Sequence, residues 1–231
     1  IYPLKQGLTN LSCHFSTNRG EWVYRHPGVG SELLIDRKAE CAALNAARNL
    51  KLDSTFIAAD PKRGWKISRF VRDCKNLDSH NDSQLQLAMQ MARRLHRCST
   101  KVDRCFSFYE EGKKYEKTLL SCFGEIDIPD WTEMEHEATE LNTFLLGDEG
   151  SPVLCHNDFF GLNFLIAPDG HIDLIDWEYA GMSDYANDFG TFSVCEQLDR
   201  SKMLRALEHY FGRKPTEQEL RHNLGQVGMA G

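Results

Sequence analysis

The stretch Cys155-His156-Asn157-Asp158-Phe159-Phe160-Gly161-Leu162-Asn163, followed thirteen positions later by the second aspartate of HIDLIDWEY, constrains this chain more than any other feature. It sets His156, Asn157, Asp158, Asn163 and Asp176 on neighbouring apolar segments. Burying such a group without a partner costs roughly 2–7 kcal/mol. The fold must therefore give each one a hydrogen-bond partner, a metal or a ligand. The apolar runs NFLIA and HIDLID are joined by Pro168-Asp169-Gly170, residues that favour a tight turn. The segment thus reads as a hairpin with a polar loop at its entrance.

What surrounds this hairpin is legible from periodicity. LSCHFST and EWVYRH are rich in β-branched and aromatic residues and are separated by Asn18-Arg19-Gly20, which predicts a hairpin. DRKAECAALNAARNL places Ala39, Ala42, Ala43, Ala46, Ala47 and Leu50 on one helical face, and that helix is expected to lie across the hairpin. STFIAAD and GWKISRFV add two short strands around a turn at 61–64. From about residue 80 the pattern becomes helical, in SQLQLAMQMARRLHRC and WTEMEHEATELNTFLL. Asp130 with Glu133, and Thr216 with Glu219, have the spacing of capping boxes. The expected architecture is an α+β fold of two lobes, a β-rich N-lobe over residues 1–71 and a mostly α C-lobe over residues 72–231 that carries the polar hairpin.

Composition narrows the partners. With 231 residues and 41% apolar content the chain can bury a core of its own. A net charge of -7 and the absence of a Lys/Arg-rich run argue against a nucleic-acid partner and turn the expectation to a small molecule, with a cationic one fitting the acidic balance. The eight cysteines form no CxxC pair and no zinc-like cluster with histidine. Reduced, mostly buried thiols in a cytoplasmic protein are expected. No run reaches the roughly eighteen apolar residues of a membrane helix, and no signal-peptide pattern opens the chain. Starting without Met and ending in GQVGMAG, the sequence reads as a piece truncated at its C-terminus.

Phosphoryl transfer from ATP requires a group that orients or deprotonates the acceptor hydroxyl, oxygen ligands for Mg²⁺, and cations or N–H groups around the phosphates. Asp158 and Asn163 have the D-x4-N spacing of a kinase catalytic loop, and Asp176 closes the next hairpin, where a kinase places its metal-binding aspartate. Hard carboxylate and amide oxygens suit Mg²⁺. A lone Asp or Asn in a loop is more often a turn or cap residue. The ordered set in a strand-loop-strand context is what points to chemistry. His156 reads as a brace for the loop more than as a titrating group.

HNDFFGLN together with IDWEYAG resembles the phosphotransferase family that contains choline kinases, aminoglycoside phosphotransferases and thiamine kinases, whose fold is protein-kinase-like. The likeness spans nearly the whole chain: QGLTNLS resembles the family's phosphate-covering loop, WVYRHPG its nucleotide-contacting strand, and IDRKAE the start of its N-lobe helix. The joint set is most similar to bacterial choline kinases, and HND, where aminoglycoside enzymes show HGD, leans the same way. The resemblance implies Asp158 as catalytic base with His156 beside it, and Asn163 and Asp176 as Mg²⁺ ligands. Glu178 is placed near the metal and the substrate, facing Asp176's side if the strand continues. Arg25 stands where kinases have a phosphate-contacting lysine, an exposed strand cation being its other reading, and Glu40 stands where the lysine's helix partner lies. Gly7, Thr9 and Asn10 fall in the phosphate loop, and adenine is expected against the backbone from Ile67 to Phe70.

For the acceptor, the resemblance implies a cationic alcohol near Asp158, held by the aromatic faces of Trp177, Tyr179 and Tyr185 with Glu178 and Asp184 balancing its charge. Packing of the hairpin is the alternative role for Trp177 and Tyr179. Asp188 is expected to support the loop. The implied function is ATP- and Mg²⁺-dependent phosphorylation of choline to phosphocholine. Thiamine, ethanolamine and aminoglycosides are the alternative acceptors. A non-catalytic nucleotide- or choline-binding module of a larger protein is the alternative of another class.

Overall fold

A computed structural model describes residues 1–4, 10–31, 34–148 and 150–231. Five strands, β1 (Tyr2–Leu4), β2 (Asn10–Thr17), β3 (Gly20–Pro27), β4 (Phe56–Ala59) and β5 (Lys66–Arg69), form an antiparallel sheet in the order β1-β2-β3-β5-β4. The predicted hairpin is β2–β3, closed by a tight turn between Thr17 and Gly20. Successive strand residues face opposite sides, and Arg25 pairs with Lys66 while Tyr24 pairs with Ile67. Arg25 and Lys66 both reach Glu40 on the helix α1 (Arg37–Asn49). Tyr24 and Ile67 face away and line an outer cleft with His26, Arg63 and Trp65.

Helix α1 starts because Asp36 accepts from the N–H groups of Lys38 and Ala39, satisfying donors that the first turn leaves open. Its stripe of Ala39, Ala43, Ala46 and Ala47 is buried, and the small side chains let the helix approach β4 and the turn at 177–179. Downstream come α2 (Asp82–His96), α3 (Phe108–Phe123), α4 (Trp131–Leu146), α5 (Ala186–Cys195), α6 (Arg200–Phe211) and α7 (Glu217–Ala230). Between α4 and α5, β6 (Val153–Cys155) pairs with β9 (Gly181–Ser183), and β7 (Phe164–Ile166) pairs with β8 (Ile172–Leu174). The β7–β8 pair is the predicted polar hairpin, with Gly170 at φ 86 in its turn. Buried Leu85, Met89 and Leu95 of α2 pack with Leu154, Phe159, Phe164, Leu174, Trp177 and Phe192 beneath it.

Two local expectations are corrected. Thr216 and Glu219 form the predicted capping box, but Asp130 adopts φ 61 and makes no side-chain cap bond to α4, because an N-cap carboxylate reaches the first-turn N–H groups from extended backbone. The eight cysteines are unpaired, as expected, yet only Cys155 is buried while Cys105, Cys122 and Cys195 are exposed. Among the described residues no helix is long and apolar enough to cross a membrane.

Helices α5 and α7 pack backbone to backbone at Gly190, where an added Cβ would lie 2.6 Å from the carbonyl oxygen of Gln226. Because that atom belongs to a helix backbone, it cannot move aside. Gly190→Ala is expected to destabilise the protein by about 1–3 kcal/mol, read as a lower urea midpoint at unchanged slope.

Candidate active site

The site is assembled where β6 ends. Asn157 takes φ 64, a left-handed conformation that asparagine enters more readily than most residues. The resulting bend aims two successive N–H groups at Asp188 in the first turn of α5: His156 N donates to Oδ2 at 3.0 Å and Asn157 N to Oδ1 at 2.7 Å. Asp188 is fully buried, so the loop-supporting role expected of it has a direct geometric basis. His156 Nε2 donates to the carbonyl of Ile175 at 2.9 Å, and its Nδ1 accepts from Asp158 N at 3.3 Å. Both ring nitrogens are thus committed to bracing. Glu196 receives Gly161 N at 2.7 Å, an approach that a Cβ at Gly161 would block at 2.7 Å from the same carboxylate.

One turn of 3₁₀ helix (Gly161–Asn163) carries Asn163 back under Asp158. Its Nδ2 donates to the Asp158 carbonyl at 2.8 Å and to Asp158 Oδ2 at 2.9 Å. With its nitrogen engaged, the amide has its carbonyl oxygen left to offer a ligand. Burial lifts the Asp158 carboxyl above the ordinary carboxylate range; Asp176 and Asp188 add to this, and His156 and Asn163 oppose it. A carboxylate so placed is a better proton acceptor than one in water.

Asp176 lies just past β8 at φ 70, and the chain then makes a 3₁₀ turn (Trp177–Tyr179) instead of continuing as a strand. Glu178 is consequently turned toward the N-terminal sheet and is 4% exposed. Its Oε2 accepts from Asn10 Nδ2 at 2.8 Å and lies 3.4 Å from Arg25 Nη1 and 3.7 Å from Arg37 Nη1. Asp176 Oδ1 stands 3.6 Å from Arg25 Nη1, with its side chain 42% exposed. Glu40 lies 2.6 Å from Arg25 Nη2, 3.0 Å from Arg37 Nη1 and 3.7 Å from Lys66 Nζ. Burial opposes ionisation of Glu40, but Lys66, Arg25 and hydrogen bonds from both arginines outweigh it and hold the carboxyl below its usual range. Arg25 is therefore a buried ion-pair partner and not an exposed strand cation. Arg37 and Lys66 complete the cluster without having been singled out in the sequence. Their signals were present: Arg37 precedes Glu40 by one helical turn, and Lys66 is the cross-strand neighbour of Arg25.

Several expected contacts do not form. Trp177 is fully buried, its indole donates to the Leu174 carbonyl at 2.9 Å, and it packs on His156; the 3₁₀ turn rotates it into the core, away from any acceptor. Asp184 accepts from Ala186 N at 2.8 Å and from His222 Nε2 at 2.7 Å, and Tyr185 stacks on Tyr210 and His222 and accepts from Asn223. Both serve the packing of α5, α6 and α7. Tyr179 stays half-buried, with Tyr115 beside it and the Arg104 guanidinium 5.7 Å from its ring centre; burial pushes its phenol up to about 12. Arg104 was not anticipated; it also donates to the Glu178 carbonyl at 2.8 Å and lies over Phe106.

The nucleotide expectations divide. Ile67 is paired on both sides within the sheet, Arg69 N donates to the Thr55 carbonyl and Phe70 N to the Glu21 carbonyl, so these N–H groups are already used. The Phe70 ring stacks on His14 at 4.1 Å. Asn10 closes the candidate phosphate loop; Gly7 and Thr9 lie outside the described residues. For a divalent cation, Asn163, bonded to Asp158 through Nδ2, and Asp176, whose charge Asp158 feels, offer an amide oxygen and an accessible carboxylate, hard oxygen donors of the kind that fits Mg²⁺. Glu178, already engaged by Asn10 and the arginines, fits a counter-ion role better.

A carboxylate locked beside a hard-oxygen pair, next to cations from a β-sheet, is the arrangement of a phosphotransferase. A model of the phosphotransferase enzyme family (APH) matches residues 1–222, and the chain belongs to that family. Within it, the chain is 26% identical to protein LicA of Haemophilus influenzae, over 85% of this chain and 58% of LicA. It is 34% identical to human ethanolamine kinase 1, over 93% of this chain and 55% of the relative. The chain thus spans little more than half the length of these relatives. Its fold matches that of choline kinase LicA from Streptococcus pneumoniae with a TM-score of 0.78 and 24% identity, over 95% of this chain and 76% of the other. The kinase-like family resemblance and two-lobe α+β fold expected from HNDFFGLN and IDWEYAG are borne out.

Removing the carboxylate charge at Glu40 would take away the carboxylate that Lys66 reaches and leave Arg25 and Arg37 to share Glu178 and Asp176 in a desolvated site. Glu40→Gln is expected to cost about 3–5 kcal/mol of stability, measured by urea unfolding.

Proposed function

We propose that this chain carries the site of an ATP-dependent kinase for a small cationic alcohol of the choline and ethanolamine class, with choline the favoured acceptor and phosphocholine the product. The observation that carries this reading is the Asp158–Asn163 pair. Asn163 fixes one oxygen of Asp158, which leaves the other to receive the proton of an acceptor hydroxyl. Burial makes that carboxylate a stronger base, and the His156 and Asn157 anchors hold the loop so that no reorganisation is needed at the moment of transfer. Asn163 Oδ1 and Asp176 would hold Mg²⁺, which when bound supplies neutralisation of phosphate charge. Arg25, fixed by Glu40 and reaching Asp176 and Glu178, supplies positive charge beside the phosphates and orients the Asp176 carboxylate.

Support for a cationic acceptor comes from the carboxylates around Asp158 and from Tyr179, the aromatic residue of the IDWEY segment that remains at the site. The relatives' names, a LicA choline kinase and an ethanolamine kinase, agree on the acceptor class. Asp158→Asn retains the shape of the side chain and removes its basicity. It is expected to lower turnover by about 10²–10⁴-fold while the affinity for nucleotide is retained. The check is a Mg²⁺-dependent ATP-consumption assay on the full-length protein, with choline, ethanolamine, thiamine and an aminoglycoside offered separately. Preference for thiamine or an aminoglycoside would overturn the acceptor assignment. Nucleotide binding with no turnover of any of the four would favour a non-catalytic module.

A further inference from the structure

Arg104 differs from Arg25 in how its charge is met. Arg25, 6% exposed, faces the carboxylates of Glu40, Asp176 and Glu178. Arg104, 9% exposed, forms no ion pair among the described residues, and its side-chain hydrogen bond there runs from Nη1 to the neutral carbonyl of Glu178 at 2.8 Å. The Glu178 carboxylate is committed elsewhere, to Asn10 and Arg25. The rings of Phe106 and Tyr179 each lie 5.7 Å from the guanidinium carbon. They attract a cation but carry no charge to neutralise it.

This placement is built into the fold. Met182 N donates to the Arg104 carbonyl at 2.7 Å and Phe106 N to the Met182 carbonyl at 3.0 Å, which seats the segment alongside β9. Gly181 makes room for it: a Cβ there would lie 3.1 Å from the Arg104 carbonyl oxygen and 3.4 Å from its Cγ. Holding one carbonyl takes one of the five N–H groups of a guanidinium. The unused nitrogens keep a path to solvent, unlike Arg25 Nε, which is sealed without a partner. Tyr179 feels the charge of Asp158, so the ring beside Arg104 lies within electrostatic reach of the candidate base. A largely desolvated cation with a free fork suits a pair of anionic oxygens, which a guanidinium binds bidentately.

We infer that Arg104 is an anion-binding pole of the acceptor site, through which the site takes an amino alcohol bearing a carboxylate as well as choline and ethanolamine. The inference rests on the proposed acceptor site and adds a charge type to it. The ammonium faces the carboxylates around Asp158, the hydroxyl meets Asp158, and the added carboxylate neutralises Arg104. The reaction is unchanged: the hydroxyl oxygen bonds the γ-phosphorus as the bond to ADP breaks, and the hydroxyl proton passes to Asp158.

The test compares L-serine with L-alaninol, which carries a methyl group in place of the carboxylate. Dissociation constants are measured by calorimetry on the full-length protein with Mg²⁺ and a non-hydrolysable ATP analogue. Serine is expected to bind about 10–100-fold more tightly than alaninol. Serine that binds no better than alaninol, or not at all, overturns the inference. In Arg104→Gln, whose amide can still donate to the Glu178 carbonyl, the ratio of the two constants is expected to fall to about one. Reading the ratio cancels any general loosening of the site. A folded Arg104→Gln protein that keeps the wild-type ratio overturns the inference. Should that variant not fold, Arg104→Lys, which replaces the fork by a point charge, is expected to lower the ratio several-fold, and an unchanged ratio overturns the bidentate role. If the wild-type protein phosphorylates no alcohol, the phosphotransfer reading fails while the binding ratio still decides the role of Arg104.

Discussion

A guanidinium as buried as that of Arg25 is tolerated only where carboxylates meet it, since taking an ion out of water costs several kcal/mol. The carboxylates come from different places: Glu40 from the helix that follows the strand, Asp176 and Glu178 from the turn that follows β8. The cluster is complete only when the N-terminal sheet and the C-terminal hairpins are docked. Its formation therefore couples the two regions and fixes the distance between Asn10, at the end of the candidate phosphate loop, and Asp176. Arg37 reinforces the same join, reaching Asn10, Ser31 and Glu40 on the N-terminal side and Glu178 on the other.

The Asp158 loop is held by different physics. Its anchors are backbone N–H groups on carboxylates at the two ends of α5, the buried Asp188 for His156 and Asn157 and the half-buried Glu196 for Gly161. Such charge-assisted bonds are short and directional. Side chains of the same loop reach the segment that carries Asp176 and Glu178, His156 through the Ile175 carbonyl and Asn157 through the Tyr179 carbonyl. The loop and the ionic cluster are therefore joined through residues 175–179.

The elements read from the sequence were those in which two local signals agreed. Turn residues coincided with β-branched and aromatic segments at β2–β3 and with apolar runs at β7–β8, and an alanine stripe marked α1. Helix α5 escaped because it is buried almost all round, so it has no apolar stripe to detect; α3 escaped for the opposite reason, having no buried residue. The site residues Asp158, Asn163 and Asp176 were legible through their spacing. Arg104 was not, because its partner, the Glu178 carbonyl, comes from a distant part of the chain; Arg37 and Lys66 carried local signals, one helical turn from Glu40 and across the strand from Arg25. Trp177 takes the packing role that was its alternative reading, and Tyr185, expected at the acceptor, packs among α6 and α7. A strand would have alternated them outward; the 3₁₀ turn does not.

The left-handed backbone at Asn157 bears on how such sequences are compared. Position 157 takes φ 64, where glycine rests without strain and asparagine with little, while most other residues are penalised. The middle letter of HND and of HGD is thus drawn from the two residues that this bend accepts most easily. That letter records the curvature of the chain between β6 and Asp158.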